Sequence, residues 1–477
     1  MSESAWRMLN PFLLGEFKVM VEILRDRTAG LDVAYHLHSQ TNPQQLKALG
    51  PAVIERGEGP RVFDSTGKAF IDGMSGLWCA SLGFGNERLA EVIYEHSKRI
   101  GYYHTFFSRT SHQVSLLAEE LSKRSLIENS HVYFATSGSE ANETMVKLAW
   151  VYHTVRGNPG KRKIISRRKS FHGSTIAAAS MCGLQTMHRE FALPIPGFLH
   201  VSYPDMYRGM NEGETSEQYS DRLAAELEQM ILREGADTVA AFIAEPVMAG
   251  AGVVAPPQDY FRKIKTVLDK YDVLLLDDEI VTGFARTGNW FGRQTTDMQP
   301  HMMALAKGLT SSYFPMSAVV MAPEIYEAVA EFNKSGSFFG HGFTNSGHPV
   351  GAAVALECLK IYEEMDVVPH VRAMGGRLKS HLREIAAGSS IVGDVRGVGL
   401  MFGIELVEDK DTKAPFAPSF GAGFKYDTFS VENGLVVRAT GDCLILAPPL
   451  VVTEADVDQI AERFGTALKQ FQASIGR

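Results

Sequence analysis

Between residue 132 and about residue 344, short continuous apolar runs alternate with longer stretches of helical periodicity. The runs fall at 132–134, 163–166, 239–244, 273–276, 302–306 and 318–321. Apolar residues at consecutive positions mark strands buried on both faces of a parallel sheet. Their alternation with helices predicts an α/β chain with a large, doubly wound, mostly parallel sheet. Ahead of it, residues 61–73 alternate and predict a hairpin turning at Thr66-Gly67, and 87–99 and 112–123 carry helical periodicity. Beyond Pro349 the rhythm changes to a long helix through Tyr362, a second helix around 371–385, strands near 395–406 and 434–446, and an amphipathic helix over 454–471. These predict a smaller α+β domain completed by the N-terminal segment. The expected organisation is a helical extension (1–30), the N-terminal part of the small domain (31–90), a large sheet domain (91–345) and the C-terminal small domain (346–477).

Composition narrows the function classes. A chain of 477 residues, 45% hydrophobic and 21% charged, has room for two or three ordinary cores. A net charge of −8 argues against nucleic acid or an anionic membrane as the main partner, since both need a basic face. Asn10-Pro11 starts a predicted helix with Phe12, Leu13, Phe17, Met20, Val21 and Leu24 on one broad face. Glu16, Lys18 and Glu22 interrupt that face, so it is too polar to span a bilayer. It lacks a secretory cleavage pattern, and Glu3 and Glu16 weigh against a transit peptide. A helix packed on the body or on a partner subunit, in a cytoplasmic protein, is the expectation. Cys79, Cys182, Cys358 and Cys443 are scattered, as reduced cytosolic thiols are, and form no zinc motif. His36-Leu-His38 has no third ligand nearby and reads as two ordinary histidines on one strand face, so no metal site is expected.

Candidate chemistry collects where the predicted strands end, which is where open α/β sheets bind ligands. The run at 273–276 delivers Asp277, Asp278 and Glu279, and the run at 302–306 delivers Lys307. A carboxylate and a lysine so placed could hold and tune a carbonyl cofactor such as pyridoxal phosphate. Ser137-Gly138-Ser139 lies between a strand and a helix start, where free N–H groups and hydroxyls suit a phosphate, although such turns also simply cap helices. Phe171-His172-Gly173 offers an aromatic for stacking on a flat ring, against the alternative of a loop anchor. Glu245-Pro246 ends another strand in the layer of Asp278. A lysine after an apolar run usually turns into water, and only the company of the other groups raises Lys307 above that.

The ordered set Asp72-Gly-Met-Ser-Gly-Leu-Trp78-Cys79, Ser137-Gly-Ser-Glu-Ala, Phe171-His-Gly-Ser-Thr, Ala244-Glu-Pro-Val, Asp278-Glu-Ile-Val-Thr-Gly-Phe-Ala-Arg-Thr-Gly, Ala306-Lys307-Gly-Leu-Thr and His341-Gly-Phe-Thr344-Asn-Ser-Gly-His-Pro resembles the class III (omega) aminotransferases, pyridoxal-phosphate enzymes of fold type I. The likeness runs from about His38 to Phe471. The Gly-Leu-Trp-Cys segment and Val437-Arg438-Ala-Thr-Gly-Asp442 with Ala447-Pro-Pro-Leu resemble its pyruvate-dependent amine and omega-amino-acid branch. The resemblance implies that Lys307 is the Schiff-base lysine and that Asp278, rather than Asp277, partners the pyridine nitrogen. It further implies that Ile280 and Phe171 sandwich the ring, with His172 beside it. Ser137, Gly138 and Ser139 would hold the phosphate, with Thr344 from the other subunit of a homodimer. Glu245 would lie near the cofactor hydroxyl, and Trp78, Phe106 and Arg438 would shape the substrate pocket. The implied partners are an amine donor and a keto acid, pyruvate foremost. An ion pair with Asp442 is the plain alternative for Arg438, and core packing for Trp78 and Phe106.

Three positions depart from the family pattern. Phe171 stands where tyrosine is usual, Ala285 replaces a frequent glycine, and Met248-Ala249-Gly250 replaces the commoner Gln-Gly. Gly250 would leave the adjoining pocket roomier, which suits bulky amines. Two other classes share the motifs: an aminomutase or decarboxylase of the same fold, and a cofactor-binding protein without turnover. The donor and the choice between dimer and tetramer stay open at this level.

Overall fold

The computed structural model describes residues 27–334, 336 and 338–477, so the helix expected within residues 10–24 lies outside the described residues. The described residues open with helices Arg27–Tyr35 and Pro43–Leu49. Strands β1 (Ile54–Glu58), β2 (Arg61–Asp64) and β3 (Ala69–Asp72) follow. β2 and β3 form the expected antiparallel hairpin, in register Val62↔Phe70. Gly67 takes φ 84° in its turn, a left-handed conformation that glycine adopts without a Cβ clash, and Asp64 Oδ1 accepts from Thr66 N and Lys68 N.

The large sheet contains β4 (His131–Ala135), β5 (Lys163–Arg167), β6 (Phe198–Val201), β7 (Val239–Ala244), β8 (Leu274–Asp278), β9 (Met302–Leu305) and β10 (Ser317–Met321). Their order is β4-β10-β9-β8-β7-β5-β6. Only β10 runs against its neighbours β4 and β9; the other pairings are parallel. β6 carries His200 inside its run and was not legible as a strand. Every residue of β7 and β8 is buried, as their unbroken apolar runs require.

Alternation along those strands divides the core. Ala241, Ile243, Leu274 and Leu276 pack with Ala141, Met145 and Ala149 of the helix Gly138–Val155. Phe242, Ala244, Val273 and Leu275 pack instead with Tyr219 and Leu223 of the helix Ser216–Glu234 and Phe261 and Ile264 of the helix Tyr260–Lys270. Side chains of a strand alternate between faces, so Asp278 follows Leu274 and Leu276 toward Gly138–Val155 while Asp277 follows Leu275 to the other side.

The C-terminal part contributes helices Pro349–Glu364 and Val367–Ala387, then β11 (Val392–Val398), β12 (Met401–Leu406), β13 (Leu435–Val436), β14 (Arg438–Thr440) and β15 (Cys443–Leu446). β11, β12, β15 and β14 make an antiparallel sheet, while β13 pairs in parallel with β3 and so joins the two ends of the chain. The helix Glu454–Ser474 closes the fold; Thr453 and Asp456 form its capping box, and Ile460, Phe464, Leu468 and Phe471 are buried.

Candidate active site

Three neighbouring parallel strands bring their C-terminal ends to one edge. Ala244 of β7 pairs with Asp277 of β8, and Asp278 pairs with Ala304 of β9, so Glu245, Asp278 and Lys307 leave the sheet side by side. Asp278 Oδ2 accepts from His172 Nδ1 at 2.7 Å and from Asn142 Nδ2 at 2.8 Å, and Oδ1 accepts from Ile280 N at 3.2 Å. A carboxylate can only accept here, so His172 carries a proton on Nδ1. Asn142 Nδ2 also donates to His172 O at 2.7 Å, tying the helix to the 171–173 loop.

Asp277 makes a different set of neighbours. It is fully buried, with neither carboxylate oxygen hydrogen-bonded among the described residues. Burial first, and then Glu279 beside it, push its pKa well above the usual carboxylate range. Glu279 accepts from Thr282 Oγ1, Gly292 N and Arg293 N. The two acids that sequence could not separate thus face opposite sides of the sheet.

Lys307 opens a short 3₁₀ turn after β9, at φ 45°. A non-glycine residue held in that region is strained, and such strain gathers at functional positions. Its ammonium has no hydrogen bond or ion pair within the described residues. Burial lowers its pKa; Asp278, Cys79 and Glu245 oppose the shift, and Arg438 adds to it.

Glu245 Oε1 accepts from Phe171 N at 3.2 Å and Oε2 from Ala249 N at 3.1 Å, and burial raises its pKa. The helix Gly138–Val155 starts with a capping box in which Ser137 Oγ accepts from Glu140 N and the Glu140 carboxylate accepts from Ser137 N. A Cβ on Gly138 would come within 2.6 Å of Ile280 Cδ1, so glycine lets that side chain lie against the helix start. Ser139 Oγ accepts from Ser174 N at 3.0 Å, joining the same turn to the 171–175 loop.

Arg438 begins β14, half-buried, and its guanidinium has no hydrogen bond or ion pair within the described residues. Burial lowers its pKa. Asp442, the alternative partner, accepts from Phe416 N instead. Trp78 is 4% exposed and packs with Met74, Val247, Ala249 and Ile445.

Two expected site residues stand apart within this chain. Phe106 is 36% exposed and lies against Gly342, where an added Cβ would meet its ring at 2.7 Å. Thr344 is exposed, and its carbonyl accepts from Tyr102 Oη at 2.6 Å. No hydrogen bond within the described residues links Phe106 or Thr344 to the Lys307 cluster.

The histidine pair needs a correction. His36 and His38 lie beyond the end of the helix Arg27–Tyr35, in no strand, and a third group is close by. Asp32 accepts from His36 Nδ1 at 3.0 Å and from His38 Nε2 at 2.6 Å. The shorter separation is a direct hydrogen bond, too tight for two ligands spread tetrahedrally around a cation at about 2.0–2.2 Å from each.

Asn142 escaped sequence reasoning altogether. The available signal was one polar residue on the otherwise apolar stripe of Ala141, Met145 and Ala149, one turn beyond Gly138.

Residues 43–468 match the family Aminotransferase class-III. The chain belongs to that family. A probable gamma-aminobutyrate transaminase 3, mitochondrial, of Oryza sativa subsp. indica is 43% identical over 433 residues, covering 90% of this chain and 84% of that protein. An uncharacterized aminotransferase of Sinorhizobium fredii is 41% identical, covering 90% and 93%. Among solved structures, the omega transaminase from Pseudomonas jessenii in complex with PMP superposes with a TM-score of 0.93 at 44% identity, covering 94% of this chain and 99% of that one. A thermostable 4-fold mutant of a Pseudomonas jessenii omega transaminase gives 0.93 at 44%, covering 95% and 100%. This class-III aminotransferase is therefore an enzyme with the α/β fold of type I, and its cofactor is pyridoxal 5′-phosphate. No helix among the described residues is long and apolar enough to cross a membrane.

Proposed function

We propose that this aminotransferase moves the amino group of a primary amine or omega-amino acid to pyruvate, releasing an aldehyde or ketone and alanine in a ping-pong cycle. Arg438 carries the proposal. A half-buried guanidinium without a carboxylate partner in the described chain, near enough to Lys307 to weigh on its charge, awaits an acceptor's carboxylate.

The residues suit the cofactor. The N–H groups at the start of the helix Gly138–Val155 fit a phosphate, and Asp278 offers a carboxylate already oriented by His172 and Asn142. Ile280 and Phe171 would flank the ring, and Glu245 would lie near its hydroxyl. When bound, pyridoxal 5′-phosphate supplies the carbonyl that takes up the amine and a ring that accepts electrons. Asp278 would keep a proton on the ring nitrogen by charge pairing. Lys307 Nζ, biased toward its neutral form by burial, would carry a proton from the donor carbon that bears nitrogen to the cofactor's carbonyl carbon, and in the acceptor half-reaction would carry one back to the acceptor's carbon. Arg438 orients the keto acid through a bidentate contact, and Trp78 walls the donor side.

A homodimer belongs to this reading, with Thr344 and Phe106 serving the partner's site. Their exposure, and the lack of a hydrogen bond from either to the Lys307 cluster among the described residues, support it. So does a cytosolic location, for which the net charge of −8 and four unpaired thiols speak. The division at residues 30, 90 and 345 is part of the same proposal, with the β3–β13 pairing as support for a small domain built from both chain ends.

Incubating the enzyme with a panel of amines and pyruvate tests the assignment. Alanine forming in equal amount with the donor's carbonyl product is expected. Donor decarboxylation or isomerisation without alanine would overturn it.

A further inference from the structure

Arg286 is 1% exposed and meets no carboxylate within the described residues. Burial draws its pKa down to about 10. Its guanidinium is spent on three separate segments of chain. Nη1 donates to Leu400 O at 3.0 Å and Pro448 O at 2.6 Å, and Nη2 donates to Ser75 Oγ at 3.0 Å. Ser75 Oγ in turn donates to Ala447 O at 2.7 Å.

Ser75 belongs to the loop that carries Trp78, and that loop is wound tightly. Ser75, Gly76 and Trp78 have φ of 49°, 65° and 65°. Two L-residues in the left-handed region within four positions persist only where the surroundings hold them. The Asp72 carboxylate does so from one side, accepting from Met74 N and Gly76 N, each at 2.7 Å. The Arg286–Ser75–Ala447 chain does so from the other. Gly76 and Leu77 at the loop tip are exposed, so neighbouring side chains give that part little support.

We propose that Arg286 and Ser75 are specificity-setting positioning residues: the guanidinium, acting through the Ser75 hydroxyl, fixes the 74–78 loop and thereby the place of Trp78 against the amine donor. The inference rests on the reading of Trp78 as the donor-side wall. Neither residue touches the reacting atoms. A merely structural Arg286, tying Leu400 and Pro448 to the loop after β8, would instead lower activity with every donor alike.

Ser75→Gly removes the whole hydroxymethyl group without backbone strain, because glycine accepts φ 49° freely. Ser75→Ala and Arg286→Lys accompany it, and 1-phenylethylamine and propylamine serve as donors with pyruvate. The ratio of kcat/KM for the larger over the smaller donor should rise about fivefold, mainly through KM, as the loosened wall admits bulk. Cofactor content per subunit and its visible absorbance should stay at wild-type values. In a Trp78→Ala background the same Ser75 change should move the ratio by less than about twofold, since the two act in series. Equal losses for both donors, or a full shift persisting without Trp78, would overturn the proposal. A Trp78→Ala enzyme with an unaltered ratio would overturn the pocket reading itself, and this inference with it.

Discussion

His172 Nδ1 and Asp278 Oδ2 lie 2.7 Å apart, both buried, and Asn142 Nδ2 reaches the same oxygen at 2.8 Å. Three segments distant in sequence therefore fix one carboxylate before any ligand arrives. Preorganised charge of this kind needs no reorganisation during reaction. Asp278→Asn keeps the shape and removes the charge; single-turnover reaction with an amine should slow by on the order of 10²-fold or more. His172→Phe leaves the carboxylate to Asn142 and Ile280 alone and should cost about tenfold. Stopped-flow absorbance of the loaded enzyme measures both, and an Asp278→Asn enzyme as fast as wild type would contradict the assigned role.

Arg438 gives a prediction about one half-reaction only. Losing a charge-assisted bidentate contact costs about 1.5–3 kcal/mol, or roughly 10–150-fold. Arg438→Ala should raise the KM for pyruvate by that factor while leaving the KM for an amine without a carboxylate near its original value. Steady-state kinetics with each substrate varied separately decides it.

Gly250 faces Phe171, where an added Cβ would sit at 3.5 Å, an ordinary contact. Alanine therefore fits without moving the backbone, and fills space beside Phe171, the proposed ring-stacking residue. Gly250→Ala should reduce kcat/KM for a bulky arylalkylamine by about tenfold and leave a linear amine nearly unaffected. Activity that falls steadily with amine size in the wild type, and no loss on substitution, would remove the idea of a roomy pocket.

Asp277 leads to a prediction about stability. Its folded pKa is raised by burial, so the native state holds a proton that the unfolded state releases above about 3.9. Stability is then lost as pH rises above that value, by up to about 1.4 kcal/mol per pH unit while the group stays protonated. Asp277→Asn mimics the neutral acid and should melt higher than wild type by a margin that widens from pH 5 to pH 8. Scanning calorimetry across that range checks the sign.

Sequence carried the large sheet well because β7, β8 and β9 are buried on both faces, which leaves an unbroken apolar run. β6 leaves no such run, because its four residues include His200 and are too few to show a period. The acids at the end of β8 were visible as a group, yet their separation needs the strand's face assignment: Asp278 shares a face with Leu274 and Leu276, and Asp277 does not. Asn142 and the Arg286–Ser75 contact span 136 and 211 positions, and no local pattern encodes such partners. The third group beside His36 and His38 has a local origin, since Asp32 sits only four residues before His36, one helical turn away on the same side.

Turnover depends on which amine holds the cofactor. Reducing the loaded enzyme with borohydride and mapping its peptides by mass spectrometry reads this directly. The pyridoxyl mass should appear on Lys307 alone, in the peptide that follows β9. Its appearance on another lysine, or its absence from the digest of an enzyme that has taken up cofactor, would contradict the account.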